Sequence, residues 1–207
     1  MTRFWRIAAG VGLLLAVVIQ LLPFYIALTT SLKPRTDLSS QWVFPTSGIY
    51  GENFRVAIED GNILRAIGSS ALITVCSTIL ICVLGALAAY PLARRDTLGN
   101  KFVFAGIIGL IMIPPLSILV PVYTLLVQLG GINTYWGAIA LMVATQLPLS
   151  IFLYAAFMRG LPLSIEEAAV VDGAGLLTTL FRVVFPMLKP VTATVIILTS
   201  VSVWNEY

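Results

Sequence analysis

The sequence predicts an all-α membrane protein, a polytopic bundle of transmembrane helices with a cytoplasmic N-terminus, and three observations carry that reading. Hydrophobic residues make up 59% of the chain and charged residues 10%. Mean hydropathy is +1.00, well above the balance of a soluble domain. Four stretches contain no Asp, Glu, Lys or Arg, and each exceeds the roughly 20 apolar residues that a helix needs to cross the hydrocarbon core. In lipid a helix satisfies its own backbone, whereas an open strand does not.

Residues 7–29 form the first run. Arg3 and Arg6 before an apolar core also fit a secretory signal, but the run's length and the lack of a small-x-small cleavage site after it favour a retained span. Residues 1–30 are therefore predicted to be the first transmembrane helix, 31–65 an external loop and 66–207 the core of the bundle. The core holds runs at 66–93, 102–128 and 134–158, and a fifth, 191–203, meets the end of the chain. Pro23, Pro114, Pro115, Pro121 and Pro148 lie within these runs, and each removes an amide donor, so kinks or unwound turns are expected at each. The third run, with three of those prolines, is either the one that lines a pathway or one whose prolines simply shape the bundle. Small residues four apart, Gly85 with Ala89 and Ala105 with Gly109, permit close helix contact.

Orientation follows from the basic residues. Arg3, Arg6, Arg94, Arg95, Lys101, Arg159, Arg182 and Lys189 fall on one side, while Lys33, Arg35, Arg55 and Arg65 fall on the other, among Asp37, Glu52, Glu59 and Asp60. The positive-inside rule makes the first side cytoplasmic. It also accounts for the pI near 9.0 without nucleic-acid binding.

Several chemistries are excluded. The chain has no His, and Cys76 and Cys82 both lie in the second run, so neither catalytic residues nor a metal site is predicted. There is no Walker-type phosphate loop, so any ATP and Mg must be bound by a partner and this chain is expected to hold no cofactor. The complete runs hold no ionisable acid or base, which disfavours a proton- or sodium-coupled carrier.

The charged interruption at 159–189 is the most informative segment. Ser164-Ile165-Glu166-Glu167 fits a capping box, with Ser164 as the cap and Glu167 reaching back. The two carboxylates also suit the helix dipole. Ala168, Ala169 and Asp172 follow on the face of Ile165 and keep it small, and Gly173 permits the helix to stop and turn. Leu176, Leu177, Leu180, Phe181 and Val184 then form the inward face of a second helix, which Pro186 should break. Such a helix, elbow and helix read either as a solvated connector or as a docking element.

Glu167-Ala168-Ala169, Asp172-Gly173-Ala174 and Pro186, at this spacing, resemble the cytoplasmic signature of permease subunits in binding-protein-dependent ABC importers, the MetI-like superfamily. Thr30-Ser31-Leu32-Lys33-Pro34, Gly85-Ala86-Leu87-Ala88-Ala89-Tyr90 and Trp204-Asn205-Glu206-Tyr207 resemble the sugar-importer branch, such as the smaller membrane subunit of the maltose system. The resemblance implies a bundle of six spans, of which five begin here, and makes 66–207 a permease core truncated in its fifth span. It implies that 165–174 is a coupling helix seated in an ATPase cleft, with Glu167, Ala168, Ala169, Asp172, Gly173, Ala174 and Pro186 as the coupling residues. The implied partners are a second permease subunit, an ABC ATPase dimer, an external solute-binding protein and the lipid of a bacterial or archaeal cytoplasmic membrane.

Uncharged spans suit a neutral solute, a sugar or related polyol. Tyr123, Gln146, Tyr154 and Asn205 have the hydrogen-bonding groups to meet it, or to bond to neighbouring helices instead. The alternative is a permease for another solute, such as a glycerol phosphate or a polyamine. A passive channel and a membrane-embedded enzyme are the rivals from other classes.

Overall fold

The computed structural model describes residues 3–45 and 48–206, so Tyr207, the last residue of the Trp204-Asn205-Glu206-Tyr207 segment, lies outside the described residues. Among them every regular element is a helix: α1 is Arg3–Ser31, α2 Glu52–Glu59, α3 Ile63–Arg94, α4 Leu98–Ile111, α5 Pro115–Gln128 and α6 Tyr135–Arg159. They are followed by α7 (Leu163–Val171), α8 (Leu176–Met187) and α9 (Lys189–Glu206). The all-α helix bundle expected from composition is what forms. Helices α1, α3 and α6 are each long and apolar enough to cross a membrane, and the bent pairs α4–α5 and α8–α9 bring the number to five if each pair is one span. Contacts divide the chain into two compact units, Met1–Ile67 and Gly68–Tyr207.

In the first unit, α1 exposes apolar side chains all along its length, as a lipid-facing helix does. Its end is stapled to the following loop by polar groups. The Thr29 hydroxyl donates to the Gln41 carbonyl at 2.8 Å, and the Tyr25 hydroxyl donates to that of Trp42 at 2.8 Å. Lys33, predicted as one of the dilute outer charges, is buried, its ammonium donating to Ser39 Oγ and to the Ser40 carbonyl, both at 2.8 Å. Ser39 in turn donates to Asp37 from its hydroxyl and its amide, which holds that carboxyl below its ordinary range. Asn53 at the start of α2 bridges the Ser31 and Lys33 carbonyls at 3.0 and 2.7 Å.

In the second unit the buried faces of α3, α6, α8 and α9 meet. Ile81, Ala89, Tyr154, Met158, Leu180, Val184, Leu188 and Val195 form one cluster, and Ile73, Ala138, Met142 and Val203 form another. Gly85 makes the close approach possible: a Cβ there would overlap the Ser150 hydroxyl on α6. The Gly85–Ala89 pair is thus a helix contact, whereas Ala105 and Gly109 are exposed on α4.

Of the local expectations, one is met and others are corrected. The unwound turn expected at Pro114 and Pro115 is present and divides the third run into two helices, with α4 and α5 inclined by 100°. Pro114 is extended (φ −61°, ψ 131°) and Pro115 opens α5, because two consecutive missing donors cannot be bridged within one ladder. By contrast Pro23, Pro121 and Pro148 lie inside helices that continue through them. Pro186 does not break α8 either. The segment Thr179–Val184 is a π-helix and the Phe185 amide bonds five residues back to Leu180, so the widened turn absorbs the proline. The break comes at Leu188, where α8 and α9 are inclined by 78°. Finally, of the predicted inward face only Leu180 and Val184 are buried, while Leu176, Leu177 and Phe181 are exposed. The π register selects four-residue steps, Leu180, Val184 and Leu188, in place of the broader α-helical stripe.

Candidate coupling site

Helix α7 begins at Leu163, after Pro162, whose extended backbone (φ −60°, ψ 127°) serves as the N-cap without a side-chain bond. Ser164 is therefore not the cap, and the capping-box reading is corrected: the serine lies within the first turn of α7, and the proline's fixed φ starts the helix in its place. Its other end fits the glycine elbow. Gly173 has φ +83°, its amide bonds to the Val170 carbonyl at 3.0 Å, and the Ala174 amide bonds to that of Ala169 at 2.9 Å. This pair of bonds is the Schellman pattern, which needs a left-handed residue at the position of Gly173.

The two glutamates of the loop separate. Consecutive residues are about 100° apart around a helix, so neighbours with the same side chain can face opposite ways. Glu167, Ala168 and Asp172 are exposed, Ala169 and Ala174 are half-buried, and Glu166 is buried. Glu166 meets the last turns of α3: the Tyr90 hydroxyl donates to Oε2 at 2.8 Å and Arg94 Nε donates to Oε1 at 2.7 Å. Arg94 Nη1 also donates to the Leu161 carbonyl at 3.3 Å. Beside it Arg159, at the end of α6, donates to the Leu92 carbonyl at 3.3 Å and stacks 4.3 Å over the Phe104 ring. The side chains of Arg94 and Glu166 are 12% and 9% exposed, so removing one partner would strand a charge at a cost of about 3–5 kcal/mol.

Sequence reasoning placed the acidic contact of this loop on Glu167 and missed Tyr90, Arg94 and the inward turn of Glu166. The available signal was the i, i+4 spacing of Tyr90 and Arg94, which puts a phenol and a guanidinium on one face at the end of α3.

The solute-path candidates do not form one cluster. Tyr154 is fully buried in the core with its hydroxyl donated to Thr192 Oγ1 at 3.2 Å. Gln146 is half-buried and donates to Ser202 Oγ on α9 at 2.7 Å. Tyr123 on α5 and Asn205 on α9 are exposed. Thr74, Ser77 and Thr78, which the sequence did not single out, present buried hydroxyls on α3 with no hydrogen-bond partner among the described residues.

The chain thus combines apolar helices long enough to cross a membrane with a short anchored helix, α7, on which Glu167, Ala168 and Asp172 are exposed. Residues 81–207 match the model of the family described as the binding-protein-dependent transport system inner membrane component. The chain belongs to that family, the permease subunits of ABC importers, and is a multi-pass inner-membrane protein. It is 46% identical over 187 residues to the melibiose/raffinose/stachyose import permease protein MelC of Bacillus subtilis, a match covering 90% of this chain and 67% of that protein. It is 34% identical over 206 residues to the diacetylchitobiose uptake system permease protein NgcG of Streptomyces coelicolor, covering 99% and 68%. Its fold superposes with a TM-score of 0.82 on a chain of a bacterial ABC transporter involved in the import of the acidic polysaccharide alginate. That match has 21% identity and covers 99% of this chain and 73% of the other.

Proposed function

We propose that this chain is a permease subunit of an ATP-driven importer of sugars, with oligosaccharides as the first class to test. The names of its relatives support the solute class: MelC is an import permease for melibiose, raffinose and stachyose, and MsmG of Streptococcus mutans, 30% identical over 207 residues, belongs to a multiple sugar-binding transport system. The buried but uncharged hydroxyls of α3 suit a neutral, hydroxyl-rich solute. An external binding protein delivers the sugar, and a second permease subunit completes the path. ATP and Mg are bound by a separate ATPase dimer, and this chain has no nucleotide site of its own.

The observation that carries the coupling role is the shape of α7: Glu167, Ala168 and Asp172 stand exposed on a helix whose exit is set by Gly173. Small side chains let a helix enter a cleft deeply, and carboxylates at its edge pair with basic groups on the rim. In this proposal Ala169, Ala174 and Pro186 shape the same surface from behind, and the 159–189 loop lies on the cytoplasmic side. Tyr123, Gln146, Tyr154 and Asn205 remain proposed solute contacts; in the present conformation Gln146 and Tyr154 bond to α9.

The test is uptake of radiolabelled melibiose into proteoliposomes that hold this chain with its partner permease, ATPase and binding protein. Uptake that needs ATP and all four components is expected. Equilibration of sugar in vesicles holding this chain alone would favour the passive channel and overturn the proposal.

A further inference from the structure

Helix α7 is nine residues long, and Glu166 is its one buried residue. Its apolar side chains seat it only in part: Leu163, Val170 and Val171 are 52%, 62% and 87% exposed, while Ile165 and Ala169 are half-buried and α7 packs against Thr179–Val184. Its covalent connections are short turns containing Gly160 on one side and Gly173 and Gly175 on the other. Those joints and that one-sided packing leave the angle between α7 and α3 to be set by polar contacts. The Glu166 carboxylate supplies the tie to α3, because each of its oxygens accepts a bond from a different residue of that helix, Arg94 at 2.7 Å and Tyr90 at 2.8 Å. Charge-assisted hydrogen bonds are directional, so two of them set the orientation of α7 as well as its distance. Arg94 also holds the turn before α7 through the Leu161 carbonyl.

We propose that Glu166 is a positioning residue for energy coupling: through Arg94 and Tyr90 it makes α7 and the end of α3 one lever, so that movement imposed on α7 enters the bundle through α3. The inference rests on the reading of α7 as the ATPase-docking helix. Helix α3 is suited to pass the movement on. Ile81, Ala86 and Ala89 are buried in the same cluster as Tyr154 of α6 and Val195 of α9, and the contact at Gly85 leaves no room for slack. Close-packed interfaces shift between discrete arrangements and do not absorb displacement. A loosened α7 would let the ATPases close without forcing the bundle to respond, since a partner drives a change only through contacts that differ between the two states.

The experiment uses the complete transporter in proteoliposomes, with ATPase retention, ATP hydrolysis and melibiose uptake measured on the same preparation. The variants are Glu166→Gln, Tyr90→Phe, and the exchange of Glu166→Arg with Arg94→Glu. Glu166→Gln should keep its ATPase and hydrolyse ATP while sugar moved per ATP falls about fivefold or more. Tyr90→Phe, which keeps the ion pair and guards against a folding defect, should lower the same ratio less, and the exchange should recover part of the loss. A fall in uptake explained wholly by less protein in the membrane, at an unchanged ratio, overturns the proposal. So does loss of the ATPase from Glu166→Gln, which would make the pair a docking element and not a lever. A wild-type chain that fails to retain any ATPase overturns the docking reading instead.

Discussion

Gly173 is the residue at which conformation and space can be told apart. Its φ is +83°, and a Cβ added there would meet nothing within 4 Å. Any penalty for substitution is therefore backbone strain, of about 1–2 kcal/mol for an ordinary L-residue and more for a β-branched one. Gly173→Val should uncouple ATP hydrolysis from uptake while the protein still inserts, whereas Gly173→Asn, a residue that tolerates the left-handed region, should retain most of the transport. Paired uptake and ATPase assays decide; equal loss in both variants would mean that bulk, not conformation, matters at the elbow. Glu167 offers a second contrast, because it is exposed while its neighbour Glu166 is buried. Glu167→Lys should change stability by less than about 0.5 kcal/mol, as surface substitutions do, yet weaken recovery of the ATPase in pull-downs. Wild-type recovery from that variant would remove Glu167 from the docking surface.

At the scale of elements, what was legible in the sequence rests on local rules. Long uncharged runs marked α1, α3 and α6, and a glycine after a short acidic helix marked the end of α7. What was not legible depends on distant partners or on cooperation between breakers. Adjacent glutamates are equivalent until Arg94, 72 residues before Glu166, selects one of them. Six prolines in apolar runs looked alike, yet only the adjacent pair interrupts a helix, while Pro91, like Pro23, Pro121 and Pro148, lies inside one: neighbouring turns can tolerate one missing donor but not two in succession. The α4–α5 break is thus a property of Pro114 and Pro115 jointly. Replacing both with Ala removes a helix-interior cost of about 3 kcal/mol each and should let 98–128 run on as one helix. Spin labels at positions 100 and 126, with Cys76 and Cys82 replaced, should then move from roughly 25 Å apart to roughly 39 Å, the rise of a continuous helix. An unchanged distance would show that packing against α6, not the prolines, holds the bend.

For the molecule as a whole, charge distribution predicts the orientation that the proposed coupling role requires. In the segment between α1 and α3, four basic residues (Lys33, Arg35, Arg55, Arg65) meet four acidic ones (Asp37, Glu52, Glu59, Asp60) and cancel. Several are also engaged within it: Lys33 is buried on Ser39 and Ser40, and Arg55 pairs with both Glu52 and Glu59. On the other side eight basic residues stand against Asp96, Glu166, Glu167 and Asp172, so the excess of the net +3 chain collects there, Glu206 being the one acid left over. Orientation responds to Lys and Arg near the ends of spans, so the α7 loop is expected in the cytoplasm, where ATPases are found, and the α2 segment outside. Cysteines introduced at exposed positions report this directly. In intact cells, with Cys76 and Cys82 replaced, an impermeant maleimide should label Glu59→Cys but not Asp172→Cys, and inverted vesicles should reverse the pattern. Labelling of Asp172→Cys from outside would put α7 on the wrong face of the membrane for an ATPase and would overturn the docking role and the lever through Glu166 together.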